Sequence, residues 1–166
     1  MDHSIVSLLA LSTECNAAVY AFNVTTFRLS RPATHTVHIP VSVAAQAAAG
    51  RTISDIGILD LTTLPSAWAS AATDESDFFT PRNALIALSR CLSASETIWL
   101  PEYDVDLPIL HSLYQMYIPE RNCPFDALRT ADLGGLVSDV TRDSDHQGLA
   151  TAISLLVGTR RRGEQA

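Results

Sequence analysis

Thr97-Ile98-Trp99-Leu100-Pro101-Glu102-Tyr103-Asp104-Val105-Asp106-Leu107-Pro108-Ile109-Leu110 contains a change of period. The first four residues read as a short buried strand, rich in β-branched and aromatic types and closed by proline. From Asp106 onward, Leu110, Leu113, Tyr114 and Tyr117 recur at the spacing of one helix face. Proline suits the first turn of a helix and aspartate the position ahead of it. The helix is therefore expected to open near Asp106-Leu107-Pro108, with Asp106 as its cap. A strand leading at once into a helix is the repeating unit of α/β architecture.

Working back from this stretch, Thr80-Pro81 is a second helix start, and Ala84, Leu85, Leu88, Cys91 and Leu92 follow at helical spacing. Residues 4–11 form an apolar run of strand length, with a polar break over 12–16. Residues 17–29 read as a second strand. In residues 34–43, Thr34, Thr36 and His38 alternate with Val37, Ile39 and Val41, and Pro32 and Pro40 mark an edge strand. Together these three make an antiparallel meander. Residues 44–76 fit a short helix or loop, then a helix over 61–70 around Trp68. Downstream, Gly134-Gly135 read as a turn, and Ser144 or Asp145 caps a last helix carrying Leu149, Ala152, Ile153 and Leu156. The expectation is one α/β domain over 1–166: a mixed sheet covered by helices, with a basic tail over 159–166.

Composition narrows the classes. With 47% hydrophobic and 17% charged residues over 166 positions, the chain has enough apolar side chain to build one core. No apolar run approaches the ~20 residues of a membrane span. Met1-Asp2-His3-Ser4 lacks the basic start of a secretory signal, so a cytoplasmic protein is expected. The net charge of -7 disfavours phosphate backbones as partners. There is no lysine, and the one basic run, Arg160-Arg161-Arg162, reads as a solvated helix end. Cys15, Cys91 and Cys123 are widely spaced and form no C-x-x-C pair, so each reads as a small core residue. His35 and His38 lie on a strand with no ligand partner in view. Tyr114 and Tyr117 read as core.

The order and wording of the second half resemble a known family. Trp99 is followed seven residues later by Asp106, with Ile109-Leu110 behind it and Tyr114 one turn on. Pro124-Phe125 precedes Asp132, and then comes His146-Gln147-Gly148-Leu149-Ala150-Thr151-Ala152. At the other end, the strand over 5–11 leads through a short loop to Asn16-Ala17-Ala18-Val19. This series is similar to the DEDDh 3′–5′ exonucleases, in particular the exodeoxyribonuclease VIII-like branch of phages and prophages, and spans nearly the whole chain. The resemblance implies an RNase H-like fold, whose mixed sheet adds parallel strands to the antiparallel N-terminal meander, hydrolysis by two divalent cations of the magnesium or manganese type, and a histidine base.

Carried over position by position, the resemblance implies a dismantled site. Asp106 stands at the second aspartate position and His146 at the histidine. Ser7 replaces the first aspartate, Leu9 the glutamate and Thr151 the last aspartate. Ala131, Leu133, Gly134 and Gly135 leave only Asp132 of an Arg-Asp-x-Arg-Thr segment. Asp60, in Leu59-Asp60-Leu61-Thr62, is a second place for the first strand motif and also lacks the glutamate. The implied protein has no catalytic residues, metal or cofactor of its own. It binds a host or phage protein, including a nucleic-acid-binding one, in a bacterial cytoplasm, and a homodimer is compatible with the mean hydropathy of +0.15. Two alternatives stand beside it. One is a nuclease with a rearranged site of Asp106, His146 and Asp104, Asp143 or Asp145. The other is a nucleic-acid-binding module without catalysis. Glu102, Asp104 and Asp106 alternate, so in an extended segment they would share one side, as a solvated strand end or a rebuilt carboxylate cluster.

Overall fold

The computed structural model describes residues 2–29, 31–53, 79–136 and 153. Among them, five strands form one mixed sheet. They are β1 (Asp2–Ala10), β2 (Val19–Arg28), β3 (Arg31–Pro40), β4 (Ser95–Leu100) and β5 (Thr130–Asp132), in the spatial order β3-β2-β1-β4-β5. β1 pairs antiparallel with β2, and β2 with β3, while β4 runs parallel to both β1 and β5. The meander read from the sequence is present, and the proline-bearing β3 is an edge strand of the sheet.

β1 lies at the centre, and its composition explains why. Val6 and Leu8 enter the larger core, while Ile5, one residue out of phase, packs on the other face with Phe27, Leu133 and Ile153. A strand apolar on both faces is stable only where both are covered. The larger core is closed by α2 (Pro81–Leu92) through Leu85, Leu88 and Leu92. α3 (Tyr103–Tyr117) adds Ile109, Leu110, Leu113 and Tyr114.

The ends of the elements follow local chemistry. Thr80 Oγ1 accepts from Asn83 N at 3.2 Å, and Pro81 opens α2 where no N–H is needed. The short α1 (Val43–Ala48) is tied to the sheet by Gln46, which is fully buried. Its Oε1 accepts from Val19 N at 2.8 Å, and its Nε2 donates to Val19 O at 2.6 Å and Ser42 O at 2.9 Å. The amide thus satisfies both backbone groups of the first β2 residue, as a neighbouring strand would.

Five expectations are corrected. α3 begins at Tyr103 rather than near Asp106, with Glu102 in the cap position and Pro108 inside the helix. Asp106 is therefore no cap; its own N–H donates to Glu102 O at 2.8 Å, a helical bond. Glu102, Asp104 and Asp106 do not share one side as in a strand. At 100° per residue the helix carries Asp104 outward to solvent while Asp106 is buried. Gly134 and Gly135 lie in a single helical turn, α4 (Leu133–Leu136), not in a reverse turn. A Cβ on Gly134 would stand 3.1 Å from Pro101 O and 3.3 Å from Asp132 Oδ1, so close approach, not a left-handed backbone, favours glycine there. Cys15 is exposed rather than core; Cys91 and Cys123 are partly buried.

The sequence reading also lacked β5. Three residues, Thr-Ala-Asp, carry no apolar alternation, and the strand exists through its register with Ile98, Trp99 and Leu100. The helix expected over 61–70, the Asp60 motif and the basic tail over 159–166 lie outside the described residues. So does the last helix, except that Ile153 is helical. No helix among the described residues is long and apolar enough to cross a membrane.

Candidate functional site

Ser7 and Leu9 lie two apart on β1 and so share a face, the one that carries Ile5. Ser7 is fully buried and Leu9 half-buried; Ser7 stands opposite Asn23 of β2 and Leu9 opposite Ala21. The register breaks just after Leu9, so the pair marks the last regular turns of the central strand. In the parallel β1–β4 ladder Ile5 stands opposite Trp99. Two residues further along, Ser7 is level with Pro101, where the chain leaves β4 for α3.

Asp106 is fully buried in the early part of α3. It precedes Ile109, Leu110 and Leu113 by three, four and seven residues, so it lies on the helix stripe that faces the core. Ser7 and Asp106 thus belong to the same end of the sheet, but α3 packs on the Val6 and Leu8 side, opposite the face of Ser7. Each has an interaction partner within the fold. Two positions expected to complete the site, His146 and Thr151, lie outside the described residues, as do Asp143 and Asp145. Ile153, two residues past Thr151, packs with Ile5 on the Ser7 face.

Oxygen ligands decide what this end of the sheet can hold. Of Ser7, Leu9 and Asp106, only Asp106 offers a carboxylate, and Leu9 offers no donor. Asp132 is exposed at the end of β5, opposite Leu100. Among the described residues no three His, Cys, Asp or Glu side chains are grouped so as to hold a metal ion. The donors among the described residues do not by themselves fit a pair of hard divalent cations, which need several converging oxygens.

Neighbouring groups are structural in character. His3 is buried against Phe27 and stacked on Trp99, and Trp99 Nε1 donates to His3 Nδ1 at 3.1 Å. Ser4 and Ser95 share a hydrogen bond of 2.5 Å between β1 and β4. The exposed His38 pairs with Asn23 Oδ1 at 2.6 Å across β2 and β3. A shallow depression of about 240 Å³ lined by His111, Tyr114, Gln115, Pro119, Arg121 and Cys123 lies at the far end of α3 from Asp106. Burial raises the Cys123 thiol above its ordinary pKa, which keeps it protonated and a poor nucleophile.

One group had no signal in the sequence. Arg51, in a stretch read only as helix or loop, is a buried guanidinium that reaches α3. Its neighbours become visible only once residues 17, 51 and 112 are brought together in space. Comparison of the chain with protein-family models and with curated proteins finds no match in either.

Proposed function

We propose that this chain is a catalytically degenerate relative of the DEDDh 3′–5′ exonucleases, with an RNase H-like fold, acting as a non-catalytic binding protein on a host or phage protein. The observation that carries this reading is the sheet. Its order β3-β2-β1-β4-β5, antiparallel in the first three strands and parallel in the rest, is compatible with that fold, and the two substituted positions, Ser7 and Leu9, fall on the central strand. Fold alone does not assign activity; the residues at the site must. Asp106 supplies one negative charge against the four positive charges of two divalent cations. A base such as His146 contributes only about 10²–10⁴-fold, far less than hydrolysis of this kind requires. The net charge of -7 supports a partner with a basic surface, for which the chain competes with nucleic acid.

The test uses the purified full chain with magnesium or manganese and end-labelled single- and double-stranded DNA and RNA. No stepwise 3′–5′ shortening is expected. Shortening abolished by both a chelator and Asp106→Ala would replace this reading with that of a nuclease with a rearranged site. Retention of a basic protein from bacterial lysate, lost as salt is raised, is the expected binding result.

A further inference from the structure

Arg51 follows Gly50, whose left-handed backbone (φ 83°) turns the chain inward after α1, and only 4% of Arg51 remains exposed. Its Nε donates to Ala17 O at 2.9 Å and its Nη1 to Ser112 Oγ at 2.9 Å, with Met116 Sδ at 3.9 Å. Nη2 is buried and meets no acceptor among the described residues. The same holds for the hydroxyl of Tyr117, next to Met116 on α3. The ion pairs among the described residues, Arg28 with Asp2 and Arg82 with Glu120, leave Arg51 out.

Arg51 Nη1 reaches Met116 Sδ and Tyr117 is the next residue, so the two groups lie at one stretch of α3. Burial lowers the pKa of Arg51, and Tyr117 and Cys15 oppose that effect; burial raises the pKa of Tyr117, and Arg51 opposes it. A guanidinium stays protonated at any ordinary pH, so its charge must be met rather than shed. A buried cation with an unmatched N–H is costly, and a buried hydroxyl beside it adds a second unmatched group. Backbone carbonyl and serine oxygens answer two of the nitrogens but bring no negative charge. An anion with two or more acceptor oxygens answers both remaining groups at once.

We propose that Arg51 Nη2 and the Tyr117 hydroxyl form a binding niche for a small oxyanion, between the end of α1 and the C-terminal half of α3. Ser112 fixes the guanidinium by holding Nη1, and Ala17 O holds Nε, so the remaining nitrogen is presented in one orientation. The niche is separate from the end of the sheet that carries Asp106. Ser112 lies six residues further along α3, about 9 Å along the helix axis. It therefore does not depend on the exonuclease-like reading.

The experiment follows the melting temperature of the full chain at pH 7 and constant ionic strength, replacing sodium chloride stepwise with sodium acetate or with sodium phosphate. A saturable rise is expected, about 5–10 °C when the anion reaches a hundred times its Kd. Arg51→Met should abolish it. Tyr117→Phe, which keeps the ring and removes one oxygen, should raise the half-saturating concentration about tenfold. A saturable rise with phosphate alone keeps the niche and assigns it a tetrahedral anion; a rise with acetate assigns it a carboxylate. A rise that stays linear in concentration and is equal in all three proteins reflects general exclusion of salt from the surface and overturns the proposal. If Arg51→Met does not fold, Tyr117→Phe decides: a response identical to that of the unaltered chain overturns it.

Discussion

Tyr114 joins α2 to α3 through its hydroxyl, which hydrogen-bonds Ser89 Oγ at 2.6 Å and donates to Leu85 O at 3.3 Å, while its ring meets Phe125 edge-on at 6.0 Å. Burial pushes this phenol well above its ordinary pKa, and the Ser89 hydrogen bond only partly opposes that. The folded chain holds the proton where the unfolded chain releases it, from about pH 10 upward. The unfolded state then binds fewer protons, so stability is present below pH 10 and falls as pH rises beyond it. Tyr114→Phe should cost about 1 kcal/mol at pH 7 through the lost hydrogen bonds. The gap between the variant and the unaltered chain should narrow above about pH 10, read from urea midpoints at pH 7, 9 and 10.5. A gap that stays constant would show that the phenol is not the group responsible. At this scale the sequence was legible wherever a residue's role follows from its spacing. Tyr114 fell on the apolar stripe and is core. Asp106 fell on the same stripe, yet the rule that aspartate precedes a helix assigned it to a cap. Arg51 was illegible because its role depends on partners 34 and 61 residues away in the chain.

Helix α3 shows how two local rules compete at the scale of an element. Proline favours the first turn, which placed the expected start next to Pro108. The helix instead begins five residues earlier, with Asp104 and Asp106 near its positive end, and tolerates an exposed Pro108 in its body. Burial of Ile109, Leu110, Leu113 and Tyr114 outweighs the missing N–H. Pro108→Ala should then restore a donor for Asp104 O. It should stabilise the chain by about 1–2 kcal/mol, the helical gain being offset in part by a freer unfolded chain. A lower urea midpoint for this variant would mean that the proline is required for the chain's exit from β4. At α2 the rules agree, and Thr80→Ala should cost about 1 kcal/mol by freeing Asn83 N, measured the same way. β5 could not be read from its own residues. Asp126 builds the turn ahead of it, its Oδ1 accepting from Leu128 N at 2.9 Å and Arg129 N at 3.0 Å, and β4 supplies the pairing. A three-residue strand is a property of its neighbour as much as of its sequence.

For the whole molecule, the antiparallel half of the sheet was legible because consecutive strands pair as neighbours. The parallel half was expected only through the family resemblance, since the contact of β1 with β4 spans about ninety residues and no periodicity reports it. The proposed ancestry can be tested at this same scale, because a two-metal site needs residues from β1, α3 and the segment around 151 to converge. The combined variant Ser7→Asp, Leu9→Glu and Thr151→Asp supplies the carboxylates that the family pattern requires; because α3 packs on the other face of β1, they meet Asp106 only if its side chain reaches round the end of the sheet. Four converging carboxylates repel one another and resist desolvation, and Ser7 is fully buried, so the metal-free variant should melt below the unaltered chain. Divalent cations bound only by the folded state then stabilise it by mass action. Magnesium or manganese should raise the melting temperature of the variant by several degrees in a saturable way, about 2–4 °C for each kcal/mol gained. The unaltered chain should show no such rise, and Asp106→Asn added to the variant should remove most of it. A variant that folds, by its far-ultraviolet dichroism and cooperative melting, yet gains nothing from either metal would mean that Ser7, Leu9 and Thr151 do not converge with Asp106. The exonuclease-like reading would then fail, while the Arg51 niche would stand on its own measurements.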